Sequence, residues 1–246
     1  LDHVDLAAAP ARGIAVGHTP GVLVDATADT AFALLLAAAR RVPEADAFVR
    51  AGRWRRENAW SPDFFLGRDL AGATLGLVGL GAIAQAVARR AAAFGMRVVG
   101  WNRSPRDVPG VEQLSLDEVL GVSDFVSVHV ALAPETRGLL DGERLACLRP
   151  GAVLINTARG GIVDEVALSK ALASGRLGAA GLDVYEREPL AADSPLLSAP
   201  NTVLTPHIGS ATALTRRRMA DLAAANALAA LRGERMPHCA NPDVYG

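Results

Sequence analysis

Short apolar runs alternate along the chain with longer segments whose apolar positions have a helical spacing. The short runs predict strands at residues 13–16, 73–78, 96–100, 125–130, 152–156, 178–184 and 202–205. Helices are predicted at residues 27–42, 44–51, 142–148, 164–174 and 210–232, and also directly after Gly81 and Ser115. Strands that are apolar on both faces lie inside parallel sheets covered by helices, so the alternation predicts an α/β fold with a doubly wound parallel sheet.

Residues 72–100 contain the most informative motif. The first apolar run ends at the string GLGAIA, which begins at Gly79, and a helical stretch and a second apolar run follow. This is the order of a Rossmann βαβ unit, in which the first glycine permits a tight turn and the second lets the backbone approach a pyrophosphate. We therefore expect Gly79, Gly81, Ala82 and Ile83 to bind a dinucleotide at the helix N-terminus.

Composition and charge narrow the range of functions. A net charge of −1 over 246 residues provides no basic surface for nucleic acid. Cys147 and Cys239 fit no metal-ligand spacing, and free thiols are typical of the cytoplasm, so we expect a cytoplasmic protein without a metal. The longest apolar run, residues 31–39, is too short to span a bilayer, and no signal peptide or membrane association is predicted.

Four polar residues follow predicted strands, at the edge where doubly wound sheets bind ligands. Arg159 lies in INTARG, Asp183 and Glu188 lie in GLDVYEREP, and His207 lies in TPHIGS. Each has an ordinary alternative: a surface ion pair, a plain turn or a structural histidine. Their occurrence in order after successive strands favours a catalytic site.

Several strings closely resemble the D-isomer-specific 2-hydroxyacid dehydrogenases over essentially the whole chain. They are GLVGLGAIA, FGMRVVGWNRS, LINTARGGIVDEVAL, GLDVYEREPL and TPHIGSAT. Within that family, ENAWSPDFFLG and the tail LRGERMP…NPDVYG are most similar to the glyoxylate/hydroxypyruvate reductases. The resemblance implies NAD(P)H-dependent reduction of a small 2-oxo acid, with glyoxylate or hydroxypyruvate as substrate.

The resemblance also implies roles for individual residues. Arg159 would hold the substrate carboxylate, because its planar fork pairs with two oxygens. His207 would donate the proton, and Glu188 would orient the imidazole. Four further residues would line the nicotinamide end of the cofactor: Thr157, Ala158, Asp183 and Gly209.

The residues after the second strand of the βαβ unit bear on the choice of cofactor. NAD-preferring Rossmann domains place an acid there, whereas this chain has the neutral Asn102. A 2′-phosphate is thus expected to meet no fixed negative charge, and Arg103, Ser104 and Arg106 could bind it. We therefore expect NADP, with NAD as the alternative if these arginines are ordinary solvated charges.

The predicted domains are unequal. Residues 25–210 form the dinucleotide-binding domain, and residues 1–24 and 211–246 form the remnant of a smaller, flavodoxin-like substrate domain. Family members usually carry a further half-domain before the position of Leu1, so we expect this substrate domain to be incomplete and the chain to be a fragment or a processed product. The family string Arg-Ile-Gly is replaced here by Ala82-Ile83-Ala84, which removes one positive group near the pyrophosphate.

Residues 52–67 hold four aromatic side chains without a clear period. Exposed aromatic clusters are typical of interfaces, so we expect a homodimer, with an interdomain plug as the alternative. The resemblance implies that Trp60 reaches toward the partner's substrate cleft. Two other functions remain open at this point: an NAD(H)-sensing, non-catalytic protein similar to a corepressor, and an inactive truncated paralogue.

Overall fold

The computed structural model describes residue 1 and residues 4–246, and its centre is one sheet of seven parallel strands. The strands are β1 (Thr74–Val78), β2 (Arg97–Trp101), β3 (Glu112–Gln113), β4 (Phe125–Val128), β5 (Val153–Asn156), β6 (Ala179–Leu182) and β7 (Thr202–Leu204). The helices are α1 (Ala8–Ala11), α2 (Val24–Ala39), α3 (Val42–Arg50), α4 (Ala82–Ala93), α5 (Leu116–Val122), α6 (Gly142–Cys147), α7 (Glu165–Ala173) and α8 (Ala213–Leu231).

The strand order is β3-β2-β1-β4-β5-β6-β7, so the chain leaves β1 toward one edge and returns at β4 to build the other. The register pairs Leu75 of β1 with Val98 on one side and with Phe125 on the other. The predicted doubly wound parallel sheet is confirmed. Its order reverses between β1 and β4, which is where such sheets form a ligand crevice.

The apolar runs became strands because this sheet is buried on both of its faces. Every residue of β1, β4, β5 and β6 is buried. Leu75 and Leu77 are 0% exposed, and burying such a side chain stabilises a fold by about 1.5–3 kcal/mol. The strands that position the site are therefore held from both faces.

Two predictions of elements need correction. Residues 13–16 do not form a strand, because in the described chain only the Val16 carbonyl bonds to a neighbouring segment, accepting from the Ala240 N–H at 2.7 Å, and two other backbone groups bond to the side chain of Asn241. Its Oδ1 accepts from the Val16 N–H at 2.8 Å, and its Nδ2 donates to the Ile14 carbonyl at 2.8 Å. The short strand β3 was not predicted, because its Glu112 and Gln113 are both exposed and carry no apolar signal.

The chain divides into two compact units. One consists of residues 27–209 and contains the sheet; the other consists of residues 1–26 and 210–246. In the second unit Asn226 donates to the His18 carbonyl at 2.9 Å and accepts from the His238 N–H at 2.9 Å. Asp2 and His3, in the predicted substrate-domain segment, lie outside the described residues. No helix of the described chain has the length and apolar character needed to cross a membrane.

Candidate active site

The turn between β1 and α4 has the backbone that a phosphate site requires. Gly79 has a φ of +98°, and a Cβ there would lie 2.8 Å from the His129 carbonyl carbon, so a larger residue does not fit. At Gly81 an added Cβ would meet no atom within 4 Å, and the glycine borders a cavity of about 560 Å³. No described side chain caps α4 at Gly81, so its first-turn N–H groups remain available for an anion.

The loop after β2 is tied to this turn by side chains. Asn102 accepts from the Leu80 N–H at 3.1 Å and donates to the Ser104 carbonyl at 2.7 Å. Arg106 donates to the Leu80 carbonyl at 3.1 Å. Arg103, Ser104, Arg106 and Asn102 all line the same cavity as the glycines. The structure thus brings the predicted phosphate-binding and ribose-binding segments together.

Glu135 is a cavity residue that sequence reasoning missed. It forms an ion pair with Arg103, and both line the cavity together with Asp117. The expectation that a 2′-phosphate meets no fixed negative charge is therefore wrong for the folded chain. A hydrogen bond from its own backbone holds the pKa of Glu135 below the ordinary value; desolvation opposes this, and Arg103 adds to the lowering. Glu135 lies 32 residues from Arg103, so no local pattern could have indicated the pair.

His129 was also missed, although it follows β4 directly. Its Nε2 lies 2.9 Å from the Ser127 Oγ, and the residue lines the same cavity. Burial lowers the pKa of His129 to about 4, so the imidazole is neutral at physiological pH. A neutral ring at this position adds no charge to the crevice.

The end of β5 positions Arg159. Asn156 donates to the Arg159 carbonyl at 2.9 Å and accepts from the Ala158 N–H at 3.0 Å, which fixes the turn. The Thr157 hydroxyl is buried and has no hydrogen-bond partner among the described residues. A buried hydroxyl without a partner fits a position that a bound group would complete. Together with the open space at Gly81, this observation shows that the residues fit a dinucleotide.

Asp183, which follows β6, holds the loop that carries His207. Its Oδ1 accepts from the Thr205 hydroxyl at 2.6 Å and from the Ile208 N–H at 2.8 Å, and its Oδ2 accepts from the Gly209 N–H at 2.7 Å. Asp183 is 1% exposed, and His207 has a left-handed φ of 54°. A non-glycine residue keeps this conformation only where its surroundings impose it, and Asp183 imposes it from both sides.

His207 and Glu188 form a hydrogen-bonded pair. The His207 Nδ1 lies 2.6 Å from one Glu188 oxygen, and the other Glu188 oxygen accepts from the Tyr185 N–H at 3.0 Å. Partial burial raises the pKa of Glu188. The hydrogen bonds from His207 and Tyr185 lower it, as does the charge of Arg159, and together they outweigh the effect of burial, so the pKa lies below its ordinary value. Glu188 therefore stays ionised and able to accept from the imidazole over the physiological range.

A second cavity of about 540 Å³ opens beside this pair. Its wall combines His207 and Glu188 with a mainly apolar set: Tyr185, Pro189, Leu190, Leu197, Leu204, Thr205 and Pro206. The imidazole and carboxylate thus lie at the border of an apolar space, where water competes less strongly for their hydrogen bond.

The sequence-predicted residues share one edge of the sheet because all strands are parallel. Gly79 and Asn102 follow β1 and β2, whereas Arg159, Asp183 and His207 follow β5, β6 and β7. The distances establish the His207–Glu188 pair and the anchoring role of Asp183. Among the described residues, no cluster of three or more His, Cys, Asp or Glu could hold a metal.

Comparison with known proteins identifies the family. The sequence model described as D-isomer specific 2-hydroxyacid dehydrogenase, NAD binding domain, matches residues 32–209. The glyoxylate reductase of Thermococcus litoralis is 49% identical over 248 residues, which are 99% of this chain and 75% of that protein. The glyoxylate reductase of Korarchaeum cryptofilum is 49% identical over 247 residues, which are 99% of this chain and 74% of that protein.

Solved structures agree in fold. The TT0316 protein of Thermus thermophilus superimposes with a TM-score of 0.92 at 55% identity, covering 98% of this chain and 76% of that one. The NADPH-dependent glyoxylate/hydroxypyruvate reductase of Sinorhizobium meliloti, in complex with NADP and malonate, has a TM-score of 0.90 at 40% identity, covering 98% of this chain and 75% of that one. The prediction of a nicotinamide dinucleotide as cofactor is confirmed by the matched NAD-binding domain. The family resemblance in the sequence is likewise confirmed, and the chain belongs to the D-isomer-specific 2-hydroxyacid dehydrogenases.

Proposed function

We propose that this chain reduces glyoxylate or hydroxypyruvate to the 2-hydroxy acid, with His207 as proton donor, Glu188 as its orienting partner and Arg159 as the carboxylate-binding group. The observation that carries the proposal is the 2.6 Å hydrogen bond between His207 and Glu188. Two proteins named glyoxylate reductase are 49% identical to the chain over nearly its whole length, which supports the substrate class.

The chemistry assigns one task to each side chain. The bound nicotinamide supplies a hydride to C2 of the oxo acid. The carbonyl oxygen then needs a proton, and His207 can provide it through Nε2 because Nδ1 is engaged by Glu188. The ionised Glu188 binds Nδ1 and so fixes the ring plane. General acid catalysis of this kind contributes roughly 10²–10⁴-fold to the rate.

Arg159 suits the substrate carboxylate. Its side chain is exposed at the end of β5, and its Nη1 donates to the Ala158 carbonyl at 2.7 Å, which orients the guanidinium plane. A planar guanidinium binds a carboxylate through two parallel hydrogen bonds and so fixes the position of the neighbouring carbonyl. Its charge reaches Glu188, whose pKa it helps to lower, so the two groups act on one site.

Turnover separates this proposal from a sensing role. Oxidation of NADPH by the wild-type chain in the presence of hydroxypyruvate supports the enzyme. Tight binding of the cofactor without turnover of either hydroxypyruvate or glyoxylate would instead indicate a sensor similar to a corepressor, or an inactive paralogue. Both quantities are measured on one sample, by absorbance for turnover and by calorimetry for binding.

NADPH is the cofactor that the ribose-binding segment favours. Arg103, Ser104 and Arg106 line the cavity, and the neutral Asn102 stands where NAD-preferring domains have an acid. Glu135 opposes this preference, because its carboxylate occupies Arg103 in the structure. A 2′-phosphate carries more charge than one carboxylate and offers more acceptor oxygens, so it competes for the guanidinium.

Arg103→Ala tests the cofactor preference. We expect the KM for NADPH to rise about tenfold or more, since a hydrogen bond to a charged group is worth about 1.5–3 kcal/mol, while the KM for NADH stays nearly unchanged. Arg97→Ala is the matched control, because Arg97, on the strand β2 that precedes this loop, likewise forms an exposed ion pair, with Glu112. A wild-type kcat/KM that favours NADH would show the preference to be wrong.

The proposal has three further parts: a substrate domain, a cytoplasmic location and a homodimer. The unit formed by residues 1–26 and 210–246 belongs to the substrate domain. The protein is cytoplasmic, a proposal supported by two cysteines that are both free thiols. It forms a homodimer through the aromatic segment 52–67, in which Trp60 is 90% exposed.

A further inference from the structure

The turn that carries Glu188 is packed against the turn that carries Arg159. Gly160, which follows Arg159, is buried directly on the peptide between Tyr185 and Glu186, and any Cβ at Gly160 would overlap with that peptide. The two turns therefore share a backbone contact. The position of one catalytic side chain depends on the position of the other.

Glu165 adds a polar contact to the same peptide. Its Oε1 accepts from the Glu186 N–H at 2.5 Å, across 21 residues of chain. Glu165 is the first residue of α7, but the cap of that helix is Asp164, whose Oδ1 accepts from the Ala167 N–H at 2.9 Å. The Glu165 side chain is thus not needed to cap its own helix and is directed to the Glu188 turn.

The surroundings of Glu165 do not favour a carboxylate. Burial raises its pKa, the hydrogen bond from Glu186 lowers it, and the charges of Glu186, Asp164 and Glu188 raise it again, with a net upward shift. A partly buried acid among three other acids is unfavourable for stability alone. Its contact with the Glu186 N–H is the interaction that offsets this cost.

We propose that Glu165 is a positioning residue for the proton donor: it holds the Tyr185–Glu186 peptide so that the Tyr185 N–H binds Glu188 and Glu188 binds His207. The inference rests on the proposed function of that pair. Three consecutive hydrogen bonds carry the effect, at 2.5 Å to Glu186, 3.0 Å from Tyr185 to Glu188 and 2.6 Å from Glu188 to His207. Around metal sites, the loss of a hydrogen-bond partner behind a ligand typically costs about 10–100-fold in activity, and we expect an effect at the lower end of that range here.

Substitutions at Glu165 separate the hydrogen bond from the charge. Glu165→Ala and Glu165→Gln both remove the negative charge, but only glutamine keeps an oxygen that can accept from the Glu186 N–H. Glu165→Asp keeps the charge and shortens the side chain, so it loses the reach. Glu143→Ala is the matched control, because Glu143 is an exposed acid in the first turn of α6, behind the N-cap Asp141.

Steady-state kinetics are the first measurement. We expect kcat for hydroxypyruvate to fall about tenfold in Glu165→Ala and in Glu165→Asp, which both lose the hydrogen bond. In Glu165→Gln, kcat should stay within about threefold of wild type. The control Glu143→Ala should leave kcat unchanged. The KM for the cofactor stays within about twofold in all of them, since the contact lies on the proton-donor side. An equal loss in the Gln and Ala variants, or no loss in Ala, would overturn the proposal.

Titration of the Glu188 carboxyl carbon by NMR, in the protein without cofactor or substrate, is the second measurement and does not depend on turnover. The Tyr185 N–H lowers the pKa of Glu188, so freeing the turn raises it. The charge of Glu165 also acts on Glu188, but it is absent from both the Ala and the Gln variant, and the other groups that face this carboxyl, His207 and Arg159, are the same in both. We expect the midpoint in Glu165→Ala to lie about 0.5 pH unit or more above that in Glu165→Gln. Coincident midpoints would contradict the positioning role even if the proposed reaction failed.

Discussion

At the scale of single residues, Asp183 uses both of its carboxylate oxygens to hold the loop of the candidate site. Asp183 accepts three hydrogen bonds on its two oxygens, all from residues 205–209 that surround His207. Two of the donors are backbone N–H groups, which cannot be moved without moving the loop. The left-handed backbone of His207 is therefore set by a residue 24 positions earlier in the sequence.

Asp183→Asn tests this anchoring. Asparagine has one acceptor oxygen, so one of the two N–H groups would face the amide nitrogen. We expect the free energy of unfolding to fall by about 1–3 kcal/mol, the usual cost of leaving a buried donor unpaired. Urea denaturation measures the change, and the exposed Asp193→Asn is the control. Equal denaturation midpoints for the two variants would refute the anchoring role.

At the scale of elements, the sequence predicted what depends on local pattern. The buried runs at residues 73–78 and 152–156 became β1 and β5, and the Ser115–Glu118 capping box opens α5 as predicted. The predicted strand at 13–16 was wrong because its backbone bonds are divided between the Asn241 side chain, 225 positions from Val16, and single backbone groups, among them those at Ala9 and Ala240.

The same distinction between local pattern and distant contacts explains which residues of the site could be predicted. Arg159 and His207 were found because they follow strands, and the resemblance supplied their roles. Glu135 and Glu165 were missed because each matters through a distant contact that no spacing indicates, whereas His129 was missed because the predicted strand at 125–130 placed it inside the strand and not at its end. Periodicity locates strand ends, whereas the contacts between the turns that follow them depend on how the strands pair.

The two glycines of the β1–α4 turn differ in a way that substitution can show. At Gly79 a side chain would meet the His129 backbone and a φ of +98°, so we expect Gly79→Ala to destabilise the fold. At Gly81 the added Cβ meets no atom within 4 Å, so Gly81→Ala keeps the melting temperature but fills the space of the phosphate. We expect its cofactor Kd to rise about tenfold or more. An unchanged Kd in Gly81→Ala would exclude this turn as the phosphate site.

At the scale of the whole molecule, the aromatic segment is only partly satisfied within the chain. Phe64 and Phe65 pack against Phe48 of α3, with ring centroids 5.5 and 5.3 Å from it. The other two aromatic side chains of the segment, Trp54 and Trp60, are 53% and 90% exposed. A tryptophan exposed to this degree is typical of an interface.

Trp60→Ala tests the dimer. We expect sedimentation velocity to show a shift toward monomer, because a buried tryptophan anchor commonly contributes about 2 kcal/mol or more to association. The KM for the oxo acid should rise in parallel if Trp60 reaches the partner's cleft. Leu231→Ala, an 84% exposed apolar residue of α8, is the control. Unchanged sedimentation and unchanged KM would remove the basis for the proposed interface.

The central claim is that His207 delivers the proton in a reaction whose cofactor site is formed elsewhere on the same sheet edge. The measurement is kcat for hydroxypyruvate with NADPH in His207→Ala, taken together with the Kd for NADPH, with His238→Ala as control. We expect kcat to fall by at least about 10²-fold, while the Kd stays within about twofold and the control resembles wild type. A His207→Ala variant that keeps its kcat would contradict the account.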